Sequence, residues 1–318
     1  MTGQGRADLF LRAILINLAG IFLLDLMGLI IKHLSGAYGA AELSAYRNLF
    51  GMVPSLTFLW LSARWQEGGR RLRIRQWPLA WLRGGFVTLA QFLFYLSLAR
   101  MEFATTSTIV FSMALFITAF SVPLLGERVG GFRWAAVVIG FIGVVMVMGP
   151  GSGGAGLDAL LPLGAAILYA LTSVTARLFD DDVPTPLMNL YGNVAAAIGA
   201  IALTLATGGF TPVASATDLL WIFIMGALGG SGVLCLIVSF RMTEPSNLAP
   251  FNYFGIPFAF ILGWLFFGEA PVGRLFPGVL LIVAGGLLIV WRERRLRRQS
   301  AAATGASPGA SKDVPTPR

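Results

Sequence analysis

The chain has 318 residues, of which 56% are hydrophobic and only 12% are charged. A soluble globular protein of this length needs more charged residues for its surface, so the composition excludes that class. The formal net charge of +8 would suit nucleic acid, but the basic residues collect between apolar runs and near the C-terminus. There they report the orientation of membrane helices, so we expect no nucleic-acid partner.

Apolar runs of about 20 residues, long enough to cross a bilayer, recur from one end of the chain to the other. They lack the ten-residue alternation of apolar and polar side chains that marks β-barrel strands. The sequence therefore predicts an all-α polytopic membrane protein with ten transmembrane helices, which we call spans 1 to 10. In chain order the predicted spans cover residues 10–33, 42–62, 78–99, 103–125, 132–149, 158–178, 185–206, 218–240, 246–267 and 273–291.

The first apolar run is long and contains Asp25, which favours an uncleaved first span over a signal peptide. The residues from Gln299 onward are rich in Ala, Gly, Ser and Pro, a composition typical of a disordered tail. Cys235 is the one cysteine and His33 the one histidine of the chain. These counts argue against disulfides, metal sites and ordinary Ser-His or Cys-His nucleophiles, so we expect no metal and no cofactor.

The distribution of Arg and Lys predicts the orientation. If the N-terminus is cytoplasmic, the arginine-rich loops and the basic C-terminal run all fall inside, and only Lys32, Arg100 and Arg274 fall outside. Cytoplasmic loops carry the excess of positive charge in membrane proteins. We therefore expect both termini in the cytoplasm and the protein in the cytoplasmic (inner) membrane.

One long stretch of the chain occurs twice. Residues 102–127 read EFATTSTIVFSMALFITAFSVPLLGE, and residues 244–269 read EPSNLAPFNYFGIPFAFILGWLFFGE. Both copies begin with Glu, end with Gly-Glu at the same spacing, and follow an Arg-Met pair, which indicates a duplicated domain. The same alignment places Gly84 on Gly226, Ser97 on Ser239 and, nearly, Gly143 on Gly286.

The duplication divides the chain into two halves of five spans. The predicted boundaries are a first repeat at 10–149, a linker at 150–157, a second repeat at 158–292, and a basic, then disordered, tail at 293–318. Because five is an odd number, the second repeat must be inserted upside down relative to the first. Inverted repeats of this kind are typical of secondary transporters, which bind substrate between the halves.

Several motifs resemble the drug/metabolite transporter superfamily, in particular proteins with two EamA-type repeats. They are LSAYRNLFG in span 2, LRGGF in span 3, VVIGFIGVVMV in span 5, and the endings LLGERV and FFGEAP of spans 4 and 9. The chain is most similar to the branch with S-adenosylmethionine-type uptake carriers and general permeases. This resemblance implies a ten-helix basket whose central cavity is lined mainly by spans 1, 3, 4, 6, 8 and 9, with spans 5 and 10 outside.

The two copies of the repeated stretch differ at one position that affects helix geometry. Span 9 contains Pro257, whereas the matching part of span 4 reads Met113-Ala114-Leu115. Proline breaks or kinks a helix. We therefore expect span 4 to lack the break that related transporters have there.

Asp25 is the most conspicuous site candidate, because a carboxylate this deep in a membrane helix costs about 2.5–3.5 kcal/mol on insertion scales. Arg47 in span 2 enters from the same side to a comparable depth, at about 1.5 Å of rise per residue. The two residues would form a structural ion pair, or else act on transport. In the second case Asp25 would carry a proton or Arg47 would bind a carboxylate or phosphate of the substrate.

Uncharged side chains within the spans complete the list of candidates. Hydroxyl and amide groups in membrane helices more often bridge helices than bind ligands. The resemblance places spans 3 and 9 on the cavity wall, which favours their polar residues. The remaining candidate substrate-binding residues are Gln91, Tyr95, Phe111, Tyr169, Asn252 and Tyr253.

Two features resemble functional motifs, but their context in the sequence favours a structural role. Residues 151–156, GSGGAG, match a dinucleotide-binding fingerprint, but they follow a membrane helix rather than a strand and are interpreted as a linker. Glu127 and Glu269 fall at helix ends on opposite membrane faces, which favours capping or gate contacts over catalysis.

The sequence predicts a secondary transporter that moves a small organic metabolite by alternating access. Amino acids, nucleoside-like compounds and drug-like compounds all remain open as substrates, with protons as a coupling ion and either a monomer or a homodimer. The alternatives from other classes are an intramembrane enzyme and a passive channel. No phosphate-binding loop is present in the sequence, so we expect no direct use of ATP.

Overall fold

A computed structural model describes residues 3–61, 66, 75–126, 130–148, 156–179, 185–242, 248, 251–269, 272–288 and 291. These residues form α-helices, joined by turns and by two short 3₁₀ segments on either side of α7. The helices are α1 Gly3–Leu34, α2 Ala40–Trp60, α3 Trp77–Arg100, α4 Phe103–Phe111, α5 Met113–Leu125, α6 Gly131–Met148, α7 Leu160–Thr175, α8 Thr185–Ala206, α9 Ala216–Met242, α10 Gly255–Phe267, α11 Val272–Leu275 and α12 Gly278–Leu288.

The predicted all-α class is confirmed within these residues, and helix is found in each of the ten predicted spans. By length and composition, five described segments are sufficient to cross a membrane, namely Leu9–Leu34, Trp77–Arg100, Phe103–Leu125, Gly156–Thr175 and Ala216–Leu236. Shorter apolar helices occupy four other spans, at Trp134–Met148, Leu190–Ala206, Gly255–Phe267 and Gly278–Leu288. The predicted linker and tail fall almost wholly outside the described residues.

Helices of one repeat pack on helices of the other, and each such contact has a counterpart in which the roles of the two repeats are exchanged. α1 of the first repeat packs on α9 of the second, and α7 of the second packs on α3 of the first. In the same way α2 packs on α9 while α8 packs on α3, and α2 and α8 pack on each other. This exchange is the pattern that a two-fold axis between the repeats produces.

Close approaches at glycine follow the same exchange and identify equivalent positions. A Cβ atom added at Gly84 would collide with Ala195, and one added at Gly226 would collide with Phe50. Gly84 and Gly226 are therefore equivalent, as the sequence alignment predicts, and so are Phe50 and Ala195. Close helix approach at small residues is the usual means of helix association in membranes.

A second pair of close approaches at glycine shows that α1 and α7 are equivalent helices of the two repeats. A Cβ atom at Gly20 would lie 2.9 Å from the Cβ of Cys235, and one at Gly164 would lie 3.0 Å from Leu93 Cδ1. Cys235 lies nine residues after Gly226, and Leu93 nine residues after Gly84. Gly20 and Gly164 are therefore equivalent as well.

Spans 4 and 9 are interrupted at equivalent positions. The Ser112 amide donates to the Ile109 carbonyl at 3.0 Å between α4 and α5, and the Phe254 amide donates to the Phe251 carbonyl at 3.1 Å just before α10. Both stretches then end in a left-handed glycine, with φ of 67° at Gly126 and 68° at Gly268, a conformation that glycine adopts without strain.

The expectation that span 4 lacks this break is therefore wrong. The Ser112 hydroxyl donates to the Ile109 carbonyl at 2.6 Å, so a local side-chain bond accompanies the break without any proline. Pro257 lies in the first turn of α10, where proline is tolerated because the amides of that turn have no partner within the helix. It follows the break and is not its site.

α6 and α12 pack together through their glycines. A Cβ atom at Gly143 would lie 2.6 Å from the carbonyl oxygen of Gly278, and one at Gly278 would lie 2.7 Å from that of Gly143. Such close backbone contact leaves no room between the two helices. They form a layer of their own, and the central helices enclose the cavity described below.

We predict different outcomes for two adjacent glycines of α3. Gly84→Ala places a methyl group against Ala195, so the free energy of unfolding should fall by about 1–3 kcal/mol, as for other overpacked sites. Gly85→Ala is the matched control, because a Cβ atom there meets nothing within 4 Å, and its stability should be unchanged or up to about 1 kcal/mol higher. Unfolding of the purified protein in detergent measures both; equal effects would contradict the packing described.

Candidate functional site

A cavity of about 360 Å³ lies between the two repeats. Its described lining comes from spans 1, 2, 3, 4, 6, 7 and 8 and combines charged, polar and aromatic side chains. Beyond the expected spans, spans 2 and 7 also contribute to the wall. Six of the eight residues predicted from the sequence line it, namely Asp25, Arg47, Gln91, Tyr95, Phe111 and Tyr169. Other polar residues of the wall are Arg83, Ser107, Thr172 and Asn193.

The other two predicted residues, Asn252 and Tyr253, lie elsewhere, and no described residue of span 9 is in the wall. Asn252 Oδ1 accepts a hydrogen bond from Asn17 Nδ2 at 2.9 Å, which ties it to α1. Tyr253 packs in the apolar cluster of α6 and α12, with its hydroxyl against Gly286. Both residues precede α10 at the interruption of span 9, and their side chains bridge helices instead of facing the cavity.

Asp25 and Arg47 are both buried in the cavity wall, but they do not form the ion pair considered from the sequence. Asp25 is 9% exposed and Arg47 is 8% exposed. No ion pair joins the two, and Asp25 Oδ2 and Arg47 Nε lack hydrogen-bond partners. A buried polar atom without a hydrogen-bond partner costs about 1–3 kcal/mol, so this arrangement does not serve stability.

A network of buried amides and hydroxyls holds Arg47 in place. Arg47 Nη1 donates to Asn48 Oδ1 at 3.0 Å, and Asn48 Nδ2 donates to Gln91 Oε1 at 2.7 Å. The same Gln91 oxygen accepts from Ser44 Oγ at 2.7 Å. The network joins α2 to α3 and fixes the position of the guanidinium.

The sequence argument missed Ser44 and Asn48. Both belong to the motif LSAYRNLFG, where Ser44, Arg47 and Asn48 have the spacing i, i+3, i+4 that places side chains on one face of a helix. That spacing of polar residues within an apolar span was the available signal.

Arg83 was also missed, because its charge was counted only as evidence for orientation. It lies one to two turns inside α3 and is 8% exposed in the cavity wall. Its Nε donates to the carbonyl of Thr172 on α7 at 3.1 Å, and its guanidinium lies 5.5 Å from the ring centre of Phe179. Arg83 therefore adds a second positive charge to the wall.

Ion pairs and hydrogen bonds join the repeats at the end of the bundle where α1 ends and α4 begins. Lys32 Nζ lies 2.7 Å from Glu269 Oε1, and the backbone amide of Phe103 donates to Glu269 Oε2 at 2.7 Å. Glu269 thus caps the first turn of α4, which confirms the predicted capping contact. Glu127, its counterpart in the first repeat, lies outside the described residues.

Further bonds join the repeats at the same end. The Tyr38 hydroxyl donates to Asp218 Oδ2 at 2.7 Å, and the backbone amide of Thr211 donates to Glu42 Oε1 at 3.0 Å. Each bond has one partner in the first repeat and one in the second. The two repeats are therefore tied together between the cavity and this end of the bundle.

Two repeats whose helix contacts exchange around a cavity with buried charged and polar side chains define the class of this protein as a membrane transporter. The model of the EamA-like transporter family matches residues 11–149 and again residues 157–291. The chain belongs to this family, as the sequence motifs suggest, and it is an integral membrane protein whose class transports small metabolites.

Curated relatives carry several substrates. A riboflavin transporter of Rhizobium johnstonii is 32% identical over 206 residues, 64% of this chain and 67% of the relative. An S-adenosylmethionine uptake transporter of Rickettsia felis is 26% identical over 285 residues, 87% and 93% of the two chains. A pseudopaline exporter of Pseudomonas aeruginosa is 25% identical over 284 residues, 89% and 95%. A solved structure with 23% identity has the same fold, with a TM-score of 0.63 over 89% of this chain and 98% of the other.

Two ion pairs at the same end of the bundle should respond differently to mutation. Glu269→Ala removes the ion-pair partner of Lys32, which keeps its bond to the Met101 carbonyl at 2.6 Å, and leaves the Phe103 amide without its acceptor. We therefore expect the free energy of unfolding to fall by about 1.5–3 kcal/mol, as for hydrogen bonds to charged groups. Asp158→Ala removes the exposed pair with Arg100 at 3.1 Å and should cost less than about 1 kcal/mol. Denaturation in detergent measures both, and a larger loss for Asp158→Ala would contradict the assigned roles.

Proposed function

We propose that this protein is a secondary carrier that moves a small organic metabolite across the cytoplasmic membrane by alternating access. The observation that carries the proposal is the cavity between the repeats, where Asp25 Oδ2 and Arg47 Nε are buried without a hydrogen-bond partner. The bonds between the repeats at one end then belong to a state in which that end is closed. Transport requires those bonds to break while the opposite end closes.

The orientation follows from the placement of Lys and Arg. Cytoplasmic loops usually carry the positive excess, which supports an orientation with both termini in the cytoplasm and the tied end of the bundle outside. The seven spans that line the cavity all belong to one chain, which supports a transport path within a single protomer of either a monomer or a homodimer. Asp25 is the one carboxyl among the described cavity residues, and a coupling proton would bind there.

The named relatives transport riboflavin, S-adenosylmethionine and pseudopaline, and we propose a substrate of similar size for this chain. A passive channel is disfavoured because several bonds between the repeats close one end of the path. An intramembrane enzyme is disfavoured because the described cavity wall contains a single carboxylate and no cysteine or histidine. General acid–base or nucleophilic chemistry needs a second group within reach.

Counterflow in proteoliposomes tests the carrier directly. Vesicles loaded with unlabelled S-adenosylmethionine, riboflavin or L-amino acids are diluted into the labelled compound, and transient accumulation of label is measured. A carrier gives saturable counterflow for at least one compound. Flux that rises linearly with concentration and shows no counterflow would indicate a channel, and no flux of any compound would contradict the proposed substrate range.

A disulfide across the tied end should stop transport. A Cβ atom at Gly263 of α10 would lie 3.6 Å from Phe103 Cβ of α4, within the range of about 3.5–4.5 Å for disulfides. In a Cys235→Ser background, Phe103→Cys with Gly263→Cys should be oxidised readily, because the two positions face each other across the repeats. We expect oxidation to abolish counterflow and a reductant to restore it.

Each single cysteine variant, treated with the same oxidant, is the control and should keep its activity. Mass spectrometry of the oxidised double variant shows whether the disulfide has formed. Full transport by the cross-linked protein would mean that this end never opens and would exclude alternating access through it.

A further inference from the structure

The described cavity wall contains one carboxyl group, Asp25, and two guanidinium groups, Arg47 and Arg83. Arg83 is bonded to the Thr172 carbonyl and lies against Phe179, so Asp25 and Arg47 are the two groups left incompletely bonded. Asp25 and Arg47 are each more than nine-tenths buried, and each has a polar atom without a hydrogen-bond partner. Neither joins the other in an ion pair. Because an unmatched charge is costly inside a membrane protein, such residues usually mark a substrate path.

The Arg47 guanidinium is bonded and closely packed, but not to Asp25. Asn48 Oδ1 accepts from its Nη1 at 3.0 Å, and Asn48 is in turn bonded to Gln91. A Cβ atom added at Gly229 of α9 would lie only 3.2 Å from Arg47 Nε. Because the two groups form no ion pair, each can act as a separate binding point.

The wall contributed by the second repeat is uncharged at the equivalent positions. Asp25 lies five residues after Gly20, as Tyr169 lies five residues after Gly164. Arg47 lies three residues before Phe50, as Gly192 lies three residues before Ala195. Gln91 lies seven residues after Gly84, as Val233 lies seven residues after Gly226. The equivalent pairs, all of which line the cavity, are Asp25 and Tyr169, Arg47 and Gly192, and Gln91 and Val233.

The two repeats therefore contribute equivalent backbone positions to the cavity, but at these positions only the first repeat contributes charged side chains. A bound molecule meets a carboxylate and a guanidinium from the first repeat and a phenol, a glycine and a valine side chain from the second. The Gly192 position, which corresponds to Arg47, leaves open space, because a Cβ atom there meets nothing within 4 Å. An uncharged part of a ligand fits on that side.

We propose that the substrate is a zwitterion, with an anionic group bound by Arg47, a cationic group bound by Asp25, and an uncharged remainder against the second repeat. Guanidinium binds carboxylate in a planar, two-point geometry, and a carboxylate in a low-dielectric site needs a cation nearby. A neutral molecule such as riboflavin would leave both charges unmatched. This inference rests on the proposed carrier function and specifies its substrate class.

Matched sets of compounds test the charge requirement by thermal shift of the purified protein. The zwitterions are S-adenosylmethionine and the common L-amino acids. The methyl esters of the amino acids with uncharged side chains keep only the positive charge, and the N-acetyl derivatives of the same amino acids keep only the negative charge. Riboflavin is the neutral probe. We expect stabilisation by at least one zwitterion, with affinity at least about tenfold weaker for its ester and its N-acetyl form.

Two variants test which residue binds which charge of the substrate. Arg47→Gln should weaken zwitterion binding by about tenfold or more and leave binding of the methyl ester unchanged, because the ester has no anion to lose. Asp25→Asn should do the reverse, weakening the zwitterion and leaving the N-acetyl derivative unchanged. Gly85→Ala, which alters open space on α3, is the control and should bind as the natural chain does.

Several outcomes would overturn the proposal. They are stabilisation by riboflavin or by singly charged compounds alone, no stabilisation by any zwitterion, or full zwitterion binding by Asp25→Asn. If Asp25→Asn binds normally but loses uptake driven by a proton gradient, Asp25 carries a proton and does not bind the substrate cation. If the protein shows counterflow of riboflavin and binds no zwitterion, the proposed carrier function holds and only the proposed binding roles of Asp25 and Arg47 are wrong.

Discussion

Asp25 and Arg47 carry opposite charges inside the helix bundle, and the bundle keeps them apart. Arg47 Nη1 donates to Asn48, Asn48 donates to Gln91, and the backbone at Gly229 lies close to Arg47 Nε. The cavity therefore retains charges that only a ligand or a coupling ion can neutralise, at a cost to stability that is common at functional sites.

The repeats provide the frame in which this arrangement is held. Equivalent glycines bring α3 against α8 and α9 against α2, and equivalent interruptions divide spans 4 and 9. Such symmetry allows two conformations of nearly equal energy, one open to each side, which a carrier requires. The charges are not symmetric, since Tyr169 and Gly192 replace Asp25 and Arg47 in the second repeat. In the proposed mechanism the duplication provides the two conformations, and the divergence between the copies provides the charged groups that bind the ligand.

Much of this could be predicted from the sequence. The apolar runs located the helices, the repeated stretch located the two-fold relation, and a deep carboxylate and arginine located the cavity. The break at Ser112 was missed because a serine hydroxyl that bonds its own helix gives no signal as clear as proline. The sequence predicts Asn252 and Tyr253 in the cavity wall, because it shows which side chains are polar but not where they point. The tertiary packing at the turn before α10 decides that direction, and no local pattern reveals it.

The most direct test of these unmatched charges is the double variant Asp25→Asn with Arg47→Gln. Removing two buried groups that the protein leaves incompletely bonded should raise the free energy of unfolding by about 1 kcal/mol or more, while counterflow is lost because the two groups proposed to bind the charges of the substrate are gone. Unfolding in detergent and counterflow in proteoliposomes are measured on the same preparation. A double variant that is less stable than the natural chain, or that transports as well, would contradict this account.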